Sequence, residues 1–231
     1  MKDFVGEYKM KELSKKRKKE IAILAAGKLE ELYPDAECAL KWGGGVENGW
    51  KLMVMGRLSA QCTDARVNIV CEELFSRFST VESLAAASVD EIEEIIRPCG
   101  LFHTKAADIK GECEMLVSAY GGIVPDNMDK LLEFRGVGRK IANLLLGDLY
   151  NMGGIVADTH CIRICGRLGF YPESLKDPVK VERIMSEFIP GEKQSDFCHR
   201  IVQFGRDTCS ARSPKCENCS MKDFCAHNTK K

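Results

Sequence analysis

The sequence lacks several features that define other classes of protein. None of its apolar runs approaches the ~18 residues that a membrane-spanning helix requires. A basic run near the N-terminus is not followed by the apolar segment of a secretory signal, so we expect a protein that is neither exported nor membrane-bound. No stretch alternates convincingly between apolar and polar side chains, which argues against a half-buried β-sheet.

An excess of charge of either sign is also absent. The 34 Lys and Arg residues balance 34 Asp and Glu residues, giving a formal net charge of +0. Total charge therefore does not indicate a nucleic-acid-binding protein, and any basic surface must come from segregation of charges in the fold. With 231 residues, 45% of them hydrophobic, the chain can bury a core as one large or two small domains.

Cysteine, by contrast, is abundant. Twelve cysteines would suggest disulfides in a small secreted chain, but without an export signal they indicate a reducing compartment. We therefore expect a cytoplasmic protein, associated with the nucleoid if its source is bacterial. Eight cysteines lie mostly in apolar helical patterns, where a free thiol behaves as a small hydrophobe. These are Cys38, Cys62, Cys71, Cys99, Cys113, Cys161, Cys165 and Cys198.

The other four cysteines form a compact cluster near the C-terminus. Cys209, Cys216, Cys219 and Cys225 follow the spacing C-x6-C-x2-C-x5-C in a segment too short and polar to form a core. Four thiolates this close in sequence suit either a tetrahedral zinc ion or a four-iron, four-sulfur cluster. The spacing alone does not separate the two.

Helical periodicity runs through the whole chain and predicts an all-α fold. Capping residues predict where several helices begin. The expected caps are Ser14, Thr63 or Asp64, Ser88 with Glu91, Thr104, and Asp177 followed by Pro178. Further helices are expected over about 50–58, 159–168 and 194–206, and residues 35–49 are predicted to form a linker.

Between two helical patterns lies a tight turn, Gly136-Val137-Gly138. The helix that follows would point its unpaired backbone N–H groups and positive dipole end outward, which makes an anion site suited to phosphate. Arg139 and Lys140 stand in its first turn, where cations oppose the dipole, so helix stability does not explain them. The alternative is an ordinary helical hairpin with solvated basic residues.

Taken together, the motifs resemble those of the endonuclease III branch of the helix-hairpin-helix DNA glycosylases. The matching segments, in the family's order, are L-S-A-Q-C-T-D at 58–64, G-L-F-H-T-K-A at 100–106, G-V-G-R-K at 136–140, V-A-D-T-H at 156–160 and the four clustered cysteines. The resemblance covers roughly residues 20–226.

This resemblance implies two helical domains flanking a DNA-binding cleft. Residues 42–152 would form one domain, with the helix-hairpin-helix motif at about 128–150. Residues 1–41 and 153–231 would form the other, with a four-iron, four-sulfur cluster held by the four cysteines in the loop 209–225. The expected partner is double-stranded DNA with a damaged base or an abasic site, bound by a monomer.

The implied activity is base-excision repair by a bifunctional DNA glycosylase and abasic-site lyase that removes damaged, oxidised pyrimidines. In this family the lysine at the place of Lys140 attacks the sugar C1′, expels the base and forms a Schiff base that permits β-elimination. Asp158 would be its carboxylate partner. From the residues alone, Lys140 could be a phosphate-binding charge and Asp158 a helix N-cap.

The resemblance also assigns DNA-contacting and base-pocket residues. Gln61 and Leu101 would fill the gap left by a flipped nucleotide. Asp64 and His160 would lie near the base pocket. Contacts to the DNA backbone are expected from Gly136, Val137, Gly138, Arg139, Arg212 and Lys215. Without the matched motifs, Gln61 and Leu101 would be ordinary loop residues and His160 a structural histidine.

Three positions depart from the family pattern and put the base specificity in doubt. Arg135 replaces a common proline before the hairpin turn, and its guanidinium could reach a phosphate. Gly56 and Arg57 interrupt a helix that should be buried and apolar. Because a buried arginine needs a partner, this helix should face DNA or an acidic neighbour.

Rival functions also remain. A monofunctional or mismatch-type glycosylase shares the scaffold but normally lacks the lysine. A non-catalytic iron-sulfur DNA-binding module, or an iron-sulfur electron carrier, would not need the pair of Lys140 and Asp158.

Overall fold

The computed structural model describes residues 13–230. Over this range the chain forms eleven α-helices, several short 3-10 turns and no β-strand, which confirms the all-α prediction. The helices are α1 Lys15–Leu32, α2 Gly49–Leu58, α3 Asp64–Arg77, α4 Val81–Ala86, α5 Val89–Ile96, α6 Phe102–Tyr120, α7 Met128–Leu131, α8 Arg139–Tyr150, α9 Thr159–Leu168, α10 Pro178–Ser186 and α11 Gln194–Asp207.

Four of the predicted N-caps are confirmed. The side chains of Ser14, Thr63, Ser88 and Asp177 each accept a hydrogen bond from a backbone N–H in the first turn of the helix that follows. Each cap satisfies a donor that the helix itself leaves unpaired, which is why these residue types mark helix starts in the sequence.

The predicted cap at Thr104 is wrong. Helix α6 begins at Phe102, two residues before Thr104. Leu101 precedes the helix, has a φ of 50° in the left-handed region and provides no side-chain cap. The turn at Leu101 redirects the chain so that Thr104 already lies inside the helix. A cap residue in the sequence is a local signal, and here the backbone conformation imposed by the loop overrides it.

The described residues bury two separate hydrophobic clusters. The first is built from α2 to α8, together with Leu40. The second joins α1 to α9, α10, α11 and the cysteine-rich segment, so the two ends of the described chain pack together. These clusters support the predicted division into 42–152 and 1–41 plus 153–231 except at Leu40, which packs in the first cluster, and the division stays a prediction. Residues 1–12 and 231 of the second predicted domain lie outside the described residues.

A buried ion pair connects α2 to α6 beneath the hairpin turn. Arg57 lies against Asp108, with Nε 2.8 Å and Nη2 2.7 Å from Oδ2. Arg135 approaches the other oxygen of the same carboxylate, its Nε 2.7 Å from Oδ1. The expectation that the helix carrying Arg57 faces an acidic neighbour is therefore confirmed, and two of the three departures from the family pattern share one carboxylate.

The turn itself packs tightly against this ion pair. Gly136 has a φ of 88°, and a Cβ atom at this position would lie 2.8 Å from Cδ and Nε of Arg57. Glycine is thus required both for the backbone conformation and for the close approach. Gly56 has a related role, because a Cβ there would lie 3.2 Å from Cγ2 of Ile141 where α2 packs on α8.

Glu112 lies one turn beyond Asp108 on α6 and is fully buried. Neither of its carboxyl oxygens has a hydrogen-bond partner among the described residues. Burial raises the pKa of Glu112 well above its usual range, although the charge of Arg57 acts in the opposite direction. Burial therefore favours the neutral, protonated form of this carboxyl group in the folded protein.

Replacing this carboxyl group should change how stability depends on pH. Because the folded pKa is raised, wild type and Glu112→Gln should have similar stability below the unfolded pKa of about 4.3. Above that pH the unfolded wild type releases a proton that the folded protein retains, so Glu112→Gln should gain up to about 1.4 kcal/mol per pH unit relative to wild type. Urea unfolding from pH 5 to 8, followed by fluorescence of the buried Trp50, measures this.

Glu73→Gln, on the exposed face of α3, is the matched control and should show no such trend. A stability difference between wild type and Glu112→Gln that stays constant from pH 5 to 8 would contradict a neutral Glu112.

Candidate active site and cysteine cavity

A cleft of ≈ 1020 Å³ lies between the two hydrophobic clusters. Lys140 and Asp158, which are distant in sequence, both line it, and so do Gln61, Asp64 and His160. The cleft is formed where the ends of α2, α8 and α9 meet α11. Its volume lies at the upper end of the range for ligand pockets, so it can admit a group as large as a nucleotide.

Lys140 stands in the first turn of α8, next to the hairpin turn. Gly138 precedes this helix and provides no side-chain cap, so the first backbone N–H groups are left for an external acceptor. Val137 is buried at 5% exposure and its N–H donates to the carbonyl of Phe134 at 3.1 Å. The valine side chain therefore anchors the turn, while the exposed Gly136 and Gly138 present backbone, as an anion site requires.

Arg139 is held by a carboxylate of the second cluster. Its Nε and Nη2 donate to the two carboxylate oxygens of Glu182 on α10, at 3.0 and 2.5 Å. Glu182 is mostly buried, with 13% of its side chain exposed. This bidentate pair joins the hairpin to the other side of the cleft. The predicted contact of Arg139 with DNA stays a prediction, since a phosphate would have to compete with Glu182.

Asp158 caps a helix at the edge of the cleft, and its catalytic role stays a prediction. Its Oδ1 accepts a hydrogen bond of 2.7 Å from the backbone N–H of Cys161, so it is the N-cap of α9. The same residue lines the cleft with Lys140. A carboxylate needs only one oxygen to cap a helix, which leaves the other for chemistry in the cleft.

Asp64 and His160 both have protein partners in addition to lining the cleft. Asp64 Oδ2 lies 2.7 Å from Nη2 of Arg206. Burial lowers the pKa of His160, so the neutral ring accepts a hydrogen bond at Nδ1 from Arg163, 3.2 Å away. A Cβ atom at Gly205 would lie 2.3 Å from that nitrogen, so glycine makes room for the ring.

Gln61 and Leu101 share an unusual backbone conformation. Both are exposed and have positive φ angles, 54° and 50°, which residues other than glycine rarely adopt. Such conformations persist where the surrounding structure imposes them, and they concentrate at functional sites. The fully buried Lys105 connects the two loops, because its Nζ donates to the carbonyls of Leu58 and Cys99 at 2.8 and 2.9 Å.

The four clustered cysteines converge on one cavity. Its wall is completed by apolar side chains of α9, α11 and the cysteine segment, namely Ile164, Leu168, Phe204 and Met221. All four thiols are free. Arg167 places Nη1 3.2 Å from the sulfur of Cys209, and a guanidinium beside sulfur suits thiolates that carry negative charge on a metal. The donor set and its surroundings therefore fit a four-thiolate cofactor.

Two arginines of α9 hold the backbone of the loop between Cys209 and Cys216. Arg163 donates to the carbonyl of Cys209 through Nε and Nη2 at 3.1 and 3.0 Å. Arg167 donates to the carbonyls of Ser210 and Ala211 at 2.7 and 2.9 Å. Helix α9 thus begins at the cleft and ends at the cysteine cavity.

Arg163, Arg167 and Lys105 were not predicted from the sequence. The two arginines are four residues apart on α9, the helix that begins within the V-A-D-T-H motif, and this spacing was the signal available in the sequence. Lys105 lies within the G-L-F-H-T-K-A motif, but a lysine in the sequence does not by itself indicate a buried structural role. Arg212 and Lys215 are exposed on the loop that the arginines hold, and their contact with DNA stays a prediction.

Comparisons with known proteins agree with this geometry. The profile of the HhH-GPD superfamily of base excision DNA repair proteins matches residues 54–191, and that of the iron-sulfur binding domain of endonuclease III matches residues 209–225. Endonuclease III of Synechocystis sp. is 37% identical over 217 residues, covering 94% of this chain and 95% of that protein.

Solved structures give the same result. A non-covalent endonuclease III–DNA complex superposes with a TM-score of 0.84 at 35% identity, covering 92% of this chain and 97% of that one. A trapped endonuclease III–DNA covalent intermediate superposes with a TM-score of 0.83 at the same identity and coverage.

Fold and site thus define a helical DNA-repair enzyme with an iron-sulfur domain. Within that class, the chain belongs to the endonuclease III family of the HhH-GPD superfamily. Its cofactor is a four-iron, four-sulfur cluster. No helix among the described residues is long and apolar enough to cross a membrane.

The contacts of Arg167 predict how firmly the cofactor is held. Arg167→Lys removes the planar donors that reach two carbonyls and one sulfur, and a single hydrogen bond to a charged group is worth about 1.5–3 kcal/mol. We expect iron loss to a chelator, followed by the visible absorbance of the cluster, to accelerate by about tenfold or more. Arg212→Lys, exposed on the same loop, should match wild type. Equal rates for Arg167→Lys and wild type would contradict this role.

Proposed function

We propose that this chain is a bifunctional DNA glycosylase and abasic-site lyase that removes oxidised pyrimidines from double-stranded DNA. The observation that carries the proposal is that Lys140 and Asp158 line one cleft from different elements, one at the uncapped start of α8 and the other at the start of α9. The family, the matched endonuclease III–DNA complexes and the iron-sulfur domain support the same function.

Lys140 is the nucleophile in this proposal. Within residues 13–230 its amine makes no hydrogen bond or ion pair, so nothing in the described structure holds it away from a substrate. As a neutral amine, Nζ forms a bond to C1′ while the bond from C1′ to the base breaks and the base leaves with a proton. Loss of a proton from the nitrogen and opening of the sugar give the Schiff base. Removal of a C2′ proton then expels the 3′ phosphate.

Asp158 stabilises the positive charge that develops at C1′ and accepts the proton that Lys140 releases. Its hydrogen bond to the N–H of Cys161 fixes the carboxylate at the cleft. Asp64 and His160 are proposed to line the pocket for the extruded base.

Access to the damaged nucleotide requires it to leave the base stack. Gln61 and Leu101 are proposed to fill the resulting gap, since both are exposed on loops that Lys105 connects. The DNA backbone would be held by the N–H groups at Gly136 and Gly138 and by the cations Arg212 and Lys215. These contacts provide affinity without sequence preference, as repair of lesions in any sequence requires.

Cys209, Cys216, Cys219 and Cys225 are the proposed ligands of the iron-sulfur cluster. When bound, the cluster supplies a structural crosslink across the cavity they line. The loop it closes is the one whose backbone Arg163 and Arg167 hold, so protein contacts and cofactor would fix the same phosphate-binding segment. We also propose that the enzyme acts as a monomer and is located in the cytoplasm, a reducing compartment in which free cysteines persist.

The nucleophile is tested by borohydride trapping on a duplex with a single abasic site. Wild type should form a covalent protein–DNA adduct, and Lys140→Gln should form none, because an amide does not make a Schiff base. Lys41→Gln is the matched control, since Lys41 lines the same cleft and has no assigned role. If wild type binds the duplex but gives no adduct, the protein is a monofunctional glycosylase or a non-catalytic DNA-binding module.

Capping and catalysis by Asp158 can be separated with two substitutions. Asparagine also caps helices well, so Asp158→Asn should keep the thermal stability while base release falls by about 10²–10⁴-fold. Asp158→Ala should lose a similar factor in activity and about 1 kcal/mol of stability as well. Single-turnover release of an oxidised pyrimidine and thermal unfolding measure the two effects. Undiminished base release by Asp158→Asn would leave the residue with the capping role alone.

A further inference from the structure

A second group of potential metal ligands lies beside the cleft, away from the cysteine cavity. One ligand atom each of Cys38, Asp148 and His199 lies within 4.8 Å of the others. Cys38 belongs to the linker after α1, Asp148 to the last turn of α8 and His199 to α11. The sequence pattern had assigned Cys38 to apolar packing, because its two neighbours here are far away along the chain.

Close packing of α8 on α11 brings Asp148 to His199. A Cβ atom at Gly147 would lie 2.9 Å from Cβ of Ser195, so glycine at 147 allows the approach. The segment after Cys38 is held independently, because the Asn68 side chain donates to the carbonyl of Ala39 and accepts from the N–H of Lys41, both at 2.9 Å. Contacts outside the group therefore help to position these residues.

The carboxylate at the centre of this group is buried and incompletely satisfied. Only 7% of the Asp148 side chain is exposed. Its Oδ1 accepts hydrogen bonds from His199 Nε2 at 2.8 Å and from the Ser195 hydroxyl at 2.5 Å. Its Oδ2 is buried and has no hydrogen bond of good geometry in residues 13–230, although the thiol of Cys38 lies near the carboxylate. A buried acceptor without a partner is unfavourable, and a cation beside it would remove that penalty.

We propose that Cys38, Asp148 and His199 bind a zinc ion whose fourth coordination position opens to the cleft. Sulfur, imidazole nitrogen and carboxylate oxygen are the three ligand types that zinc prefers in proteins. Cys38 and His199 line the cleft, so water or the Ser195 hydroxyl is available for the remaining position. The site goes beyond the proposed function, because neither the base chemistry nor the iron-sulfur cluster requires it.

A catalytic serine arrangement is the competing interpretation of the same residues, and the geometry excludes it. Ser195 Oγ and Asp148 Oδ1 both contact Nε2 of His199, at 3.2 and 2.8 Å. A serine nucleophile and its orienting carboxylate must bind opposite nitrogens of the imidazole. Asp148 belongs to α8, which packs in the first cluster, and His199 belongs to α11, which packs in the second. A zinc ion bound to both would therefore connect the two sides of the cleft.

The test uses the holoprotein with its iron-sulfur cluster intact. After removal of adventitious metal and dialysis against a small excess of zinc, iron and zinc are counted by atomic emission. We expect about one zinc in wild type in addition to the cluster iron. Cys38→Ser and His199→Gln should each retain less than about one tenth of that zinc with unchanged iron, which also reports that they fold. Zinc should raise the melting temperature of wild type and of neither variant.

Zinc X-ray absorption distinguishes this site from the four cysteines of the cavity. The proposed site should give one sulfur at about 2.3 Å with lighter ligands at about 2.0–2.2 Å, whereas zinc in the cysteine cavity would give sulfur alone. Cys62→Ser, a half-buried free cysteine lining the same cleft, should retain zinc. An all-sulfur shell, no zinc beyond trace in wild type, or full zinc binding by both ligand variants would each overturn the proposal.

Discussion

The hydrogen bond from the backbone of Cys161 to the carboxylate of Asp158 starts α9, and both functional regions depend on where that helix lies. Its first residue borders the cleft, while Arg163 and Arg167 further along hold the cysteine loop. A rigid helix only ten residues long therefore sets the position of the cleft carboxylate and of the cofactor loop together. A shift of α9 would move both, so its packing in the second hydrophobic cluster is a functional constraint as well as a source of stability.

On the opposite side of the cleft, function works against local helix stability. A helix start without a side-chain cap, followed by two cations, is unfavourable on its own. Tertiary contacts compensate for this. The side chain of Val137 is buried beneath the turn, and Arg139 binds Glu182. Gly136 packs directly on the ion pair of Arg57 and Asp108. Exceptions to local rules are expected where a site must face a ligand, because the surrounding fold supplies the missing stability.

The polar groups buried beneath the hairpin show how substitutions depend on one another. Arg135 and Arg57 look like unrelated departures in the sequence, yet both contact Asp108, with Glu112 buried one turn away. Removing one partner of a buried pair leaves the other uncompensated, so these positions are coupled energetically. Arg135 contacts the carboxylate beneath the turn, although 71% of its side chain is exposed, so the buried member of this pair is Asp108.

The sequence by itself was sufficient for features encoded locally. Helical periodicity, capping residues and the hairpin glycines each act within a few residues, so the all-α class and most helix starts could be predicted. Thr104 failed because the left-handed backbone at Leu101, imposed by the loop, determined where α6 begins. The order of short motifs, through its resemblance to a family, predicted roles for Lys140, Asp158 and the four clustered cysteines.

Only the tertiary structure decided which distant side chains meet. Arg57 and Asp108 are 51 residues apart, as are Asp148 and His199, and no local pattern encodes either pairing. The cleft between the two clusters, the partner of Arg139 and the grouping of Cys38 with Asp148 and His199 arise in the same way. Burial and hydrogen-bond satisfaction are properties of packed elements, because the free energy of each polar group depends on what the rest of the chain places beside it.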